Sequence, residues 1–242
     1  FKDNYIWLLT QGKRAFVVDP GDAAPVRARL EADGLALEGI LVTHHHADHQ
    51  GGVAELTARW PAKVYAPGNE SITGCTHPLS GGECIDVLGQ NVRVMAVPGH
   101  TRGHLAYYVE GALFCGDTLF GAGCGRLFEG TPEQMSASLA SIAALPETTR
   151  IYCAHEYTAM NLRFAVAVEP KNAALQARVA RVGELRAAGL PSVPSTLAEE
   201  KATNPFLRCQ EPAVIAAALG QGAAGCEPVA VFAAIRGWRN NF

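Results

Sequence analysis

The chain predicts an α/β sandwich followed by an all-helical carboxyl-terminal domain, and three observations carry that prediction. Through residue 156, short β-favouring runs alternate with segments of helical spacing. Two hairpins within that part both end in an aspartate-bearing turn, Asp19-Pro20-Gly21 and Gly116-Asp117, an echo that points to a duplicated βα layer. From Tyr157 onward the periodicity is helical, with no strand expected. The expected division is therefore 1–156 for an α/β domain and 157–242 for a helical one.

Taken in order, residues 5–10 and 14–19 read as two strands joined at Gln11-Gly12-Lys13. Residues 23–32 follow with helical spacing and Asp22 as the cap. The apolar run 40–42 predicts a buried strand and 53–60 a helix. Residues 63–66, 83–87 and 92–97 are short and β-favouring, whereas 68–82 is rich in Gly, Ser and Thr and reads as loop, leaving His77 as a surface histidine. A second hairpin spans 105–109 and 112–115 around Glu110-Gly111. Thr131 and Pro132 mark the cap and first position of a helix over 131–145, and 150–154 is a strand. In the tail, helices are predicted over 161–168, 173–188, 212–219 and 229–239. Pro191 to Thr196 reads as a stiff connector in which Ser195 or Thr196 caps a short turn through Glu199-Glu200. Gly220 to Gly225 is read as flexible.

The chain is organised around Thr43-His44-His45-His46-Ala47-Asp48-His49-Gln50-Gly51-Gly52, between the run 40–42 and the helix at 53. Side chains two apart on an extended segment share a face, so His44 and His46 can grip one ion together. Asp48 and His49, at the turn into the helix, point elsewhere and suit a second ion. Neutral imidazole and carboxylate are ligands of zinc, iron and manganese. His45 is read as a solvated loop residue. The pattern then repeats at strand ends: His100 behind Pro98-Gly99, Asp117 behind Gly116, and His155 behind residues 150–154. The donors sort into His44, His46 and His100 for one ion and Asp48, His49 and His155 for the other, with Asp117 lending one oxygen to each. His104 is expected to orient its loop rather than bind metal.

Composition sets the outer limits. At 242 residues, 48% hydrophobic and 18% charged, the chain is an ordinary globular one, long enough for a sizeable core. No apolar run is long enough to span a bilayer. Seven cysteines, odd in number and without a C-x-x-C pair, argue against a disulfide framework or thiolate cluster and for a reducing cytosol; most are expected to be small buried hydrophobes. The chain opens at Phe1 without methionine or signal-like segment, so a few residues of the native start are expected to be missing. The net charge of −3 is uneven: twelve Lys/Arg face eighteen Asp/Glu through Pro170, a balance of −6, and eight face five from Lys171, a balance of +3. All eight histidines lie in the acidic part. A mildly basic tail beside a metal core suits a small anionic substrate, and +3 is too weak for nucleic acid. A monomer is expected.

With these residues in hand, the chain resembles the metallo-β-lactamase superfamily through H-x-H-x-D-H at His44 to His49, then His100, Asp117 and His155 in order. Within it, the chain resembles the glyoxalase II enzymes, the hydroxyacylglutathione hydrolases. That closer likeness rests on Asp3-Asn4-Tyr5, Gly116-Asp117-Thr118-Leu119-Phe120 with Gly123-Cys124-Gly125-Arg126, His155-Glu156-Tyr157-Thr158, and Pro194 to Glu200 with Asn204-Pro205-Phe206. The resemblance implies a four-layer αββα sandwich with a helical carboxyl-terminal domain and a binuclear centre of zinc, with iron or manganese as alternatives. It also implies glutathione recognition by Arg126, Phe128, Tyr157, Arg236 and Arg239. Many members have tyrosine where this chain has Phe128, so a hydroxyl contact to the tripeptide is expected to be lost there, leaving a packing contact.

The resemblance further implies thioester hydrolysis of an S-acylglutathione, S-lactoylglutathione above all, in the second step of methylglyoxal detoxification, and the residues suit that chemistry. Zinc can bring bound water to a pKa of about 7, and two ions roughly 3.5–4 Å apart can present hydroxide to the carbonyl. Asp48 is expected to steer the hydroxide proton, and a thiolate leaves without a general acid. Arg236 and Arg239, three apart on the last helix, share a face and with Arg126 could clamp a carboxylate. Three rival readings are weighed: a glutathione persulfide dioxygenase with one iron, for which the helical tail is not expected; a hydrolase of lactones, β-lactams or phosphodiesters; and a metal-binding module without turnover.

Overall fold

The structure, a computed structural model, describes residues 3–242; Phe1 and Lys2, with which the expected first domain opens, lie outside the described residues. Strands β1 (Trp7–Gln11) and β2 (Arg14–Val18) form the first hairpin, followed by α1 (Ala23–Asp33), β3 (Ala36–Leu41), α2 (Ala47–Gln50), α3 (Val53–Arg59), β4 (Lys63–Pro67) and β5 (His77–Leu79). The second half brings β6 (Cys84–Val87), β7 (Gln90–Ala96), β8 (Leu105–Val109), β9 (Ala112–Gly116), β10 (Leu119–Phe120), β11 (Gly123–Cys124), α4 (Pro132–Ala143) and β12 (Arg150–Cys153). The tail contains α5 (Thr158–Val168), α6 (Ala173–Ala187), β13 (Ser195–Thr196), α7 (Leu197–Thr203), a short 3-10 turn (Pro205–Leu207), α8 (Pro212–Gly220) and α9 (Pro228–Asn240).

One sheet has the order β1-β2-β3-β4-β5 and the other β13-β12-β9-β8-β7-β6, with β10-β11 as a separate two-stranded ribbon. Period-two alternation builds the layers. On β2, Ala15 and Val17 pack outward with Val26, Leu30, Val53 and Leu56 of α1 and α3. Phe16 and Val18 face inward onto Val92, Val94, Leu105, Tyr107 and Phe114 of the second sheet. That sheet's outer face carries Leu113, Cys115 and Ile151 against Met135, Leu139 and Ile142 of α4 and, from the tail, Phe164, Phe232 and Ile235. Each fully buried large apolar side chain contributes about 1.5–3 kcal/mol, so the expected αββα layering is held mainly by these three apolar seams. Tyr107 ties the sheets together directly beneath the histidine segment, its buried hydroxyl donating to Val42 O at 2.8 Å.

Local signals hold where side chains answer backbone groups. Asp22 accepts from Ala24 N at 2.8 Å, and Thr131 closes a capping box with Gln134 behind Pro132. Thr196 caps α7 by accepting from Glu199 N. Two expectations are corrected. The segment 68–82, read as loop, contains β5, which pairs in parallel with β4 and sets His77 opposite Tyr65, half-buried with the rings 4.6 Å apart. The tail, read as free of strands, contains β13, which pairs antiparallel with β12 and so enters the second sheet. Among the described residues no helix is long and apolar enough to cross a membrane. All seven cysteines are free; Cys115, Cys124, Cys153 and Cys209 are buried, while Cys84 and Cys226 are exposed.

Candidate active site

Parallel and antiparallel strands of both sheets end on one rim, and there the donor-bearing turns meet. His44 and His46 follow β3, His100 follows β7, Asp117 follows β9 and His155 follows β12. Gly116 makes the last turn possible: its φ is +48°, and a Cβ there would lie 2.4 Å from Thr43 Oγ1 and 2.8 Å from His104 Cε1. The chain can then carry Asp117 directly beneath the histidines.

The seven donors expected from the sequence all converge. His46 Nδ1 lies 3.0 Å from both His44 Nε2 and His100 Nε2. Asp117 Oδ2 is 3.4 Å from His100 Nε2, while its Oδ1 is 3.4 Å from His49 Nε2 and 3.3 Å from His155 Nε2. Asp48 Oδ2 completes the second group, 3.5 Å from His155 Nε2 and 3.6 Å from His49 Nε2. Donors about 2.1 Å from a tetrahedral ion stand about 3.4 Å from each other, so the spacing fits a shared cation. His49 Nε2 and Asp117 Oδ1 are moreover buried without a hydrogen-bond partner, a cost that an ion between them would remove.

The remaining ring nitrogens of His44, His49, His100 and His155 are held from behind, which fixes ring orientation. His44 Nδ1 lies 3.0 Å from Thr43 Oγ1, and His49 Nδ1 lies 3.0 Å from Asp19 Oδ2. His100 Nδ1 is 2.8 Å from the Arg126 carbonyl; His155 Nδ1 is 3.3 Å from Asp3 Oδ1. Asp19 also accepts from Thr43 N and Oγ1, both at 2.8 Å, and Asn4 Nδ2 donates to Asp48 Oδ2 at 3.0 Å. His104 stays outside the donor groups. Its Nε2 accepts from Asp117 N at 3.1 Å and its ring stacks on His44, so it orients the turn. His45, read as solvated, is instead half-buried, with Nδ1 3.0 Å from Glu70 and Nε2 3.3 Å from Glu129.

Electrostatically the site has two characters. Burial pushes the His44 imidazole well below its ordinary pKa, and burial lowers His46 and His100 too. Burial also opposes charge on His49, but Asp117 and Asp19 outweigh it and raise its pKa to about 9. His155 is likewise raised by Asp117 against burial. Asp117, despite burial, is held well below the usual carboxylate range by His49 and His155.

Beside the donors opens a cleft of about 380 Å³, lined by His100, Asp117, Phe120, Cys124, Arg126, Phe128, Tyr157, Met160, Asn161, Arg236 and Arg239. All five substrate-contact residues expected from the sequence therefore line one cavity. Arg126 and Phe128 come from the segment after β11, Tyr157 from the start of α5, and Arg236 and Arg239 from α9. Among the described residues, none of the three arginines pairs with a carboxylate. Arg236 donates to Cys124 O at 3.0 Å and Asn240 Oδ1 at 2.9 Å, and its buried Nε has no partner. Burial and the charges of Arg236 and Arg126 pull the Arg239 pKa below its ordinary value. Burial and the nearby aspartates push Tyr157 up to about 12, so its phenol keeps its proton; its ring stacks on His155 at 4.7 Å. Phe128 is 59% exposed and meets the His46 and His100 rings edge to face. Met160 and Asn161 were not anticipated, because neither residue type on a helix signals a cleft.

Comparison with known proteins places the chain in a family. The family model described as Metallo-beta-lactamase superfamily matches residues 2–155, and that described as Hydroxyacylglutathione hydrolase C-terminus matches 156–242. A protein of Dechloromonas aromatica named hydroxyacylglutathione hydrolase is 77% identical, covering 100% of this chain and 97% of its own length. Among solved structures, ETHE1 from Myxococcus xanthus is similar in fold, with a TM-score of 0.66 at 23% identity over 98% of this chain and 93% of its own. TTHA1623, solved in a di-iron-bound form, has a TM-score of 0.54 and 30% identity over 63% of this chain and 87% of its own. The chain belongs to the metallo-β-lactamase superfamily and, within it, to the hydroxyacylglutathione hydrolases.

Proposed function

We infer that this chain is a metal-dependent thioester hydrolase that cleaves S-(2-hydroxyacyl)glutathione, S-lactoylglutathione above all, to glutathione and a 2-hydroxy acid. The observation that carries the reading is one cleft with metal-type donors at one end and three arginines without carboxylate partners at the other. An S-acylated glutathione has two carboxylates and one ammonium, so its net negative charge suits the arginine end.

Two divalent ions are proposed, one held by His44, His46 and His100, the other by Asp48, His49 and His155, with Asp117 between them; zinc suits the nitrogen-rich set best. Bound there, they would lower the pKa of water to about 7 and draw charge from a carbonyl oxygen. The chain's own residues do the rest. Arg126, Arg236 and Arg239 bind tripeptide carboxylate, and the protonated Tyr157 supplies a hydrogen-bond donor. Phe128 packs on the substrate and shields the His46 and His100 rings from water. Asp48, its Oδ2 held by Asn4 at 3.0 Å, steers the proton of the attacking water. The departing thiolate is a good leaving group, so no side chain has to protonate it.

Elemental analysis of the purified protein alongside S-lactoylglutathione hydrolysis tests the reading, with a lactone panel as competitor. The expected result is two ions per chain and thioester turnover far above lactone turnover; preferential lactone cleavage would refute the substrate assignment.

A further inference from the structure

Glu70 lies just beyond β4, three residues past Pro67, and its side chain is only 4% exposed. Its carboxylate divides between two loops. Oε2 accepts from His45 N at 2.7 Å and lies 3.0 Å from His45 Nδ1. Oε1 accepts from Thr101 Oγ1 at 2.5 Å and Gly103 N at 2.8 Å. The first loop carries His44 and His46 out of one sheet; the second carries His100 out of the other. Contact between Glu70 and the second loop is close: a Cβ on Gly103 would come within 2.6 Å of Glu70 Cγ and 2.2 Å of Asn69 Oδ1. Glu129 adds an outer brace, with Oε1 3.3 Å from His45 Nε2 and Oε2 accepting from Arg102 N at 3.1 Å.

A proton on His46 Nδ1 can bond the His44 or His100 Nε2 at 3.0 Å, but once all three nitrogens present lone pairs to one ion no such bond holds the rings together. The spacing of His44, His46 and His100 has to be imposed by what lies behind them. We propose that Glu70 is a positioning residue for the three-histidine half of the metal centre, its two oxygens setting the separation of the His44–His46 loop from the His100 loop. This rests on the two-ion reading above. Glu70 touches neither the cleft lining nor the donor atoms, so it acts on the ion only through the histidines.

The test uses the zinc-loaded full chain and reads metal release to a chelator rather than turnover. Partners behind metal ligands typically set affinity by roughly 10–100-fold. In Glu70→Ala one ion is expected to bind 10–100-fold more weakly while the other is unchanged. Glu70→Gln, which keeps an acceptor for one loop only, is expected to fall between. Should Glu70→Ala not fold, Thr101→Val removes a single donor from the carboxylate and is expected to weaken the same ion by a smaller factor. Unchanged affinity for both ions, or equal weakening of both with a parallel loss of melting temperature in the metal-free protein, would overturn the proposal. Wild-type stoichiometry tests the two-ion reading separately. If the wild type holds one ion, that reading fails, and the role of Glu70 stands or falls on whether the variants weaken that ion.

Discussion

Replacing Glu200 with alanine is expected to destabilise the chain and loosen the substrate cleft together. Glu200 is fully buried on α7 and accepts four hydrogen bonds. Arg178 Nη2 at 2.5 Å and Ser195 Oγ at 2.6 Å reach one oxygen. Ala122 N at 2.8 Å and Asn204 Nδ2 at 3.1 Å reach the other. Arg178 is 2% exposed, and beyond Glu200 it keeps Thr203 Oγ1 at 2.6 Å and Glu199 at 3.5 Å. Removing one member of a buried ion pair costs about 3–5 kcal/mol, because the other charge stays buried. For a chain of this length that corresponds to a fall in melting temperature of roughly 6–20 °C. The functional effect follows from Ala122. It sits at a φ of +54° in the β10–β11 turn, just ahead of Cys124 and Arg126, and without its acceptor the turn has less to hold that conformation. Thermal unfolding of the metal-loaded protein and KM for S-lactoylglutathione read both consequences. Arg178→Met with Glu200→Gln should be less destabilised than Glu200→Ala, since no cation is then stranded. A fall of less than about 2 °C in Glu200→Ala, or a large fall with unchanged KM, would refute the coupling of tail and cleft.

Asp48→Ala is expected to abolish turnover, whereas Arg236→Ala should mainly raise KM, by roughly 10- to 150-fold for a charged hydrogen bond of about 1.5–3 kcal/mol; a loss of kcat at constant KM in Arg236→Ala would contradict ground-state binding. Phe128→Tyr places a hydroxyl at the cleft mouth and should lower KM by roughly 2- to 13-fold, about 0.5–1.5 kcal/mol, with kcat unchanged; steady-state kinetics decide it. The metal-free protein should lose stability as pH rises through about 9, where His49 gives up the proton that Asp117 and Asp19 hold on it. Its pKa is raised relative to the unfolded chain, so that contribution is complete below about 6.5 and lost above the folded value. Zinc-loaded protein, with no proton on that nitrogen, should not share the loss; parallel pH profiles of melting temperature would refute the assignment.

How much of this was legible in the sequence depends on whether a residue's partner is local. Metal donors were legible because few other residues do their chemistry, and their placement at strand ends followed from strands too short to run further. The caps at Asp22, Thr131 and Thr196 were legible because each side chain bonds a backbone N–H two or three residues on. β5 and β13 were not. The first is three residues long with Pro78 at its centre, and the second is a two-residue strand behind Pro194. Both exist only because a neighbouring strand offers ladder bonds, which nothing within ten residues encodes. From sequence Asp19 reads as a strand terminator and Glu70 as one more residue of a polar loop. Their partners, Thr43 and His49 for one and His45, Thr101 and Gly103 for the other, become visible only when the sheets stack.

The two halves of the donor cluster are organised by different physics. Around His49 and His155, opposite charges do the arranging: Asp117, Asp19, Asp48 and Asp3 all lie within 3.6 Å of a ring nitrogen of one or the other, so this half would tend to gather even without an ion. Around His44, His46 and His100, burial disfavours the charged imidazolium, and any N–H shared between the neutral rings is lost once every nitrogen turns its lone pair to an ion. In that metal-ready form their convergence at 3.0 Å is held from outside by Thr43, the Arg126 carbonyl and the Glu70 carboxylate between the loops. Mutations behind the charged half should therefore alter its proton affinity first, and mutations behind the neutral half its geometry first. For that reason the cluster needs support from both sheets and not only from the strands that carry the donors.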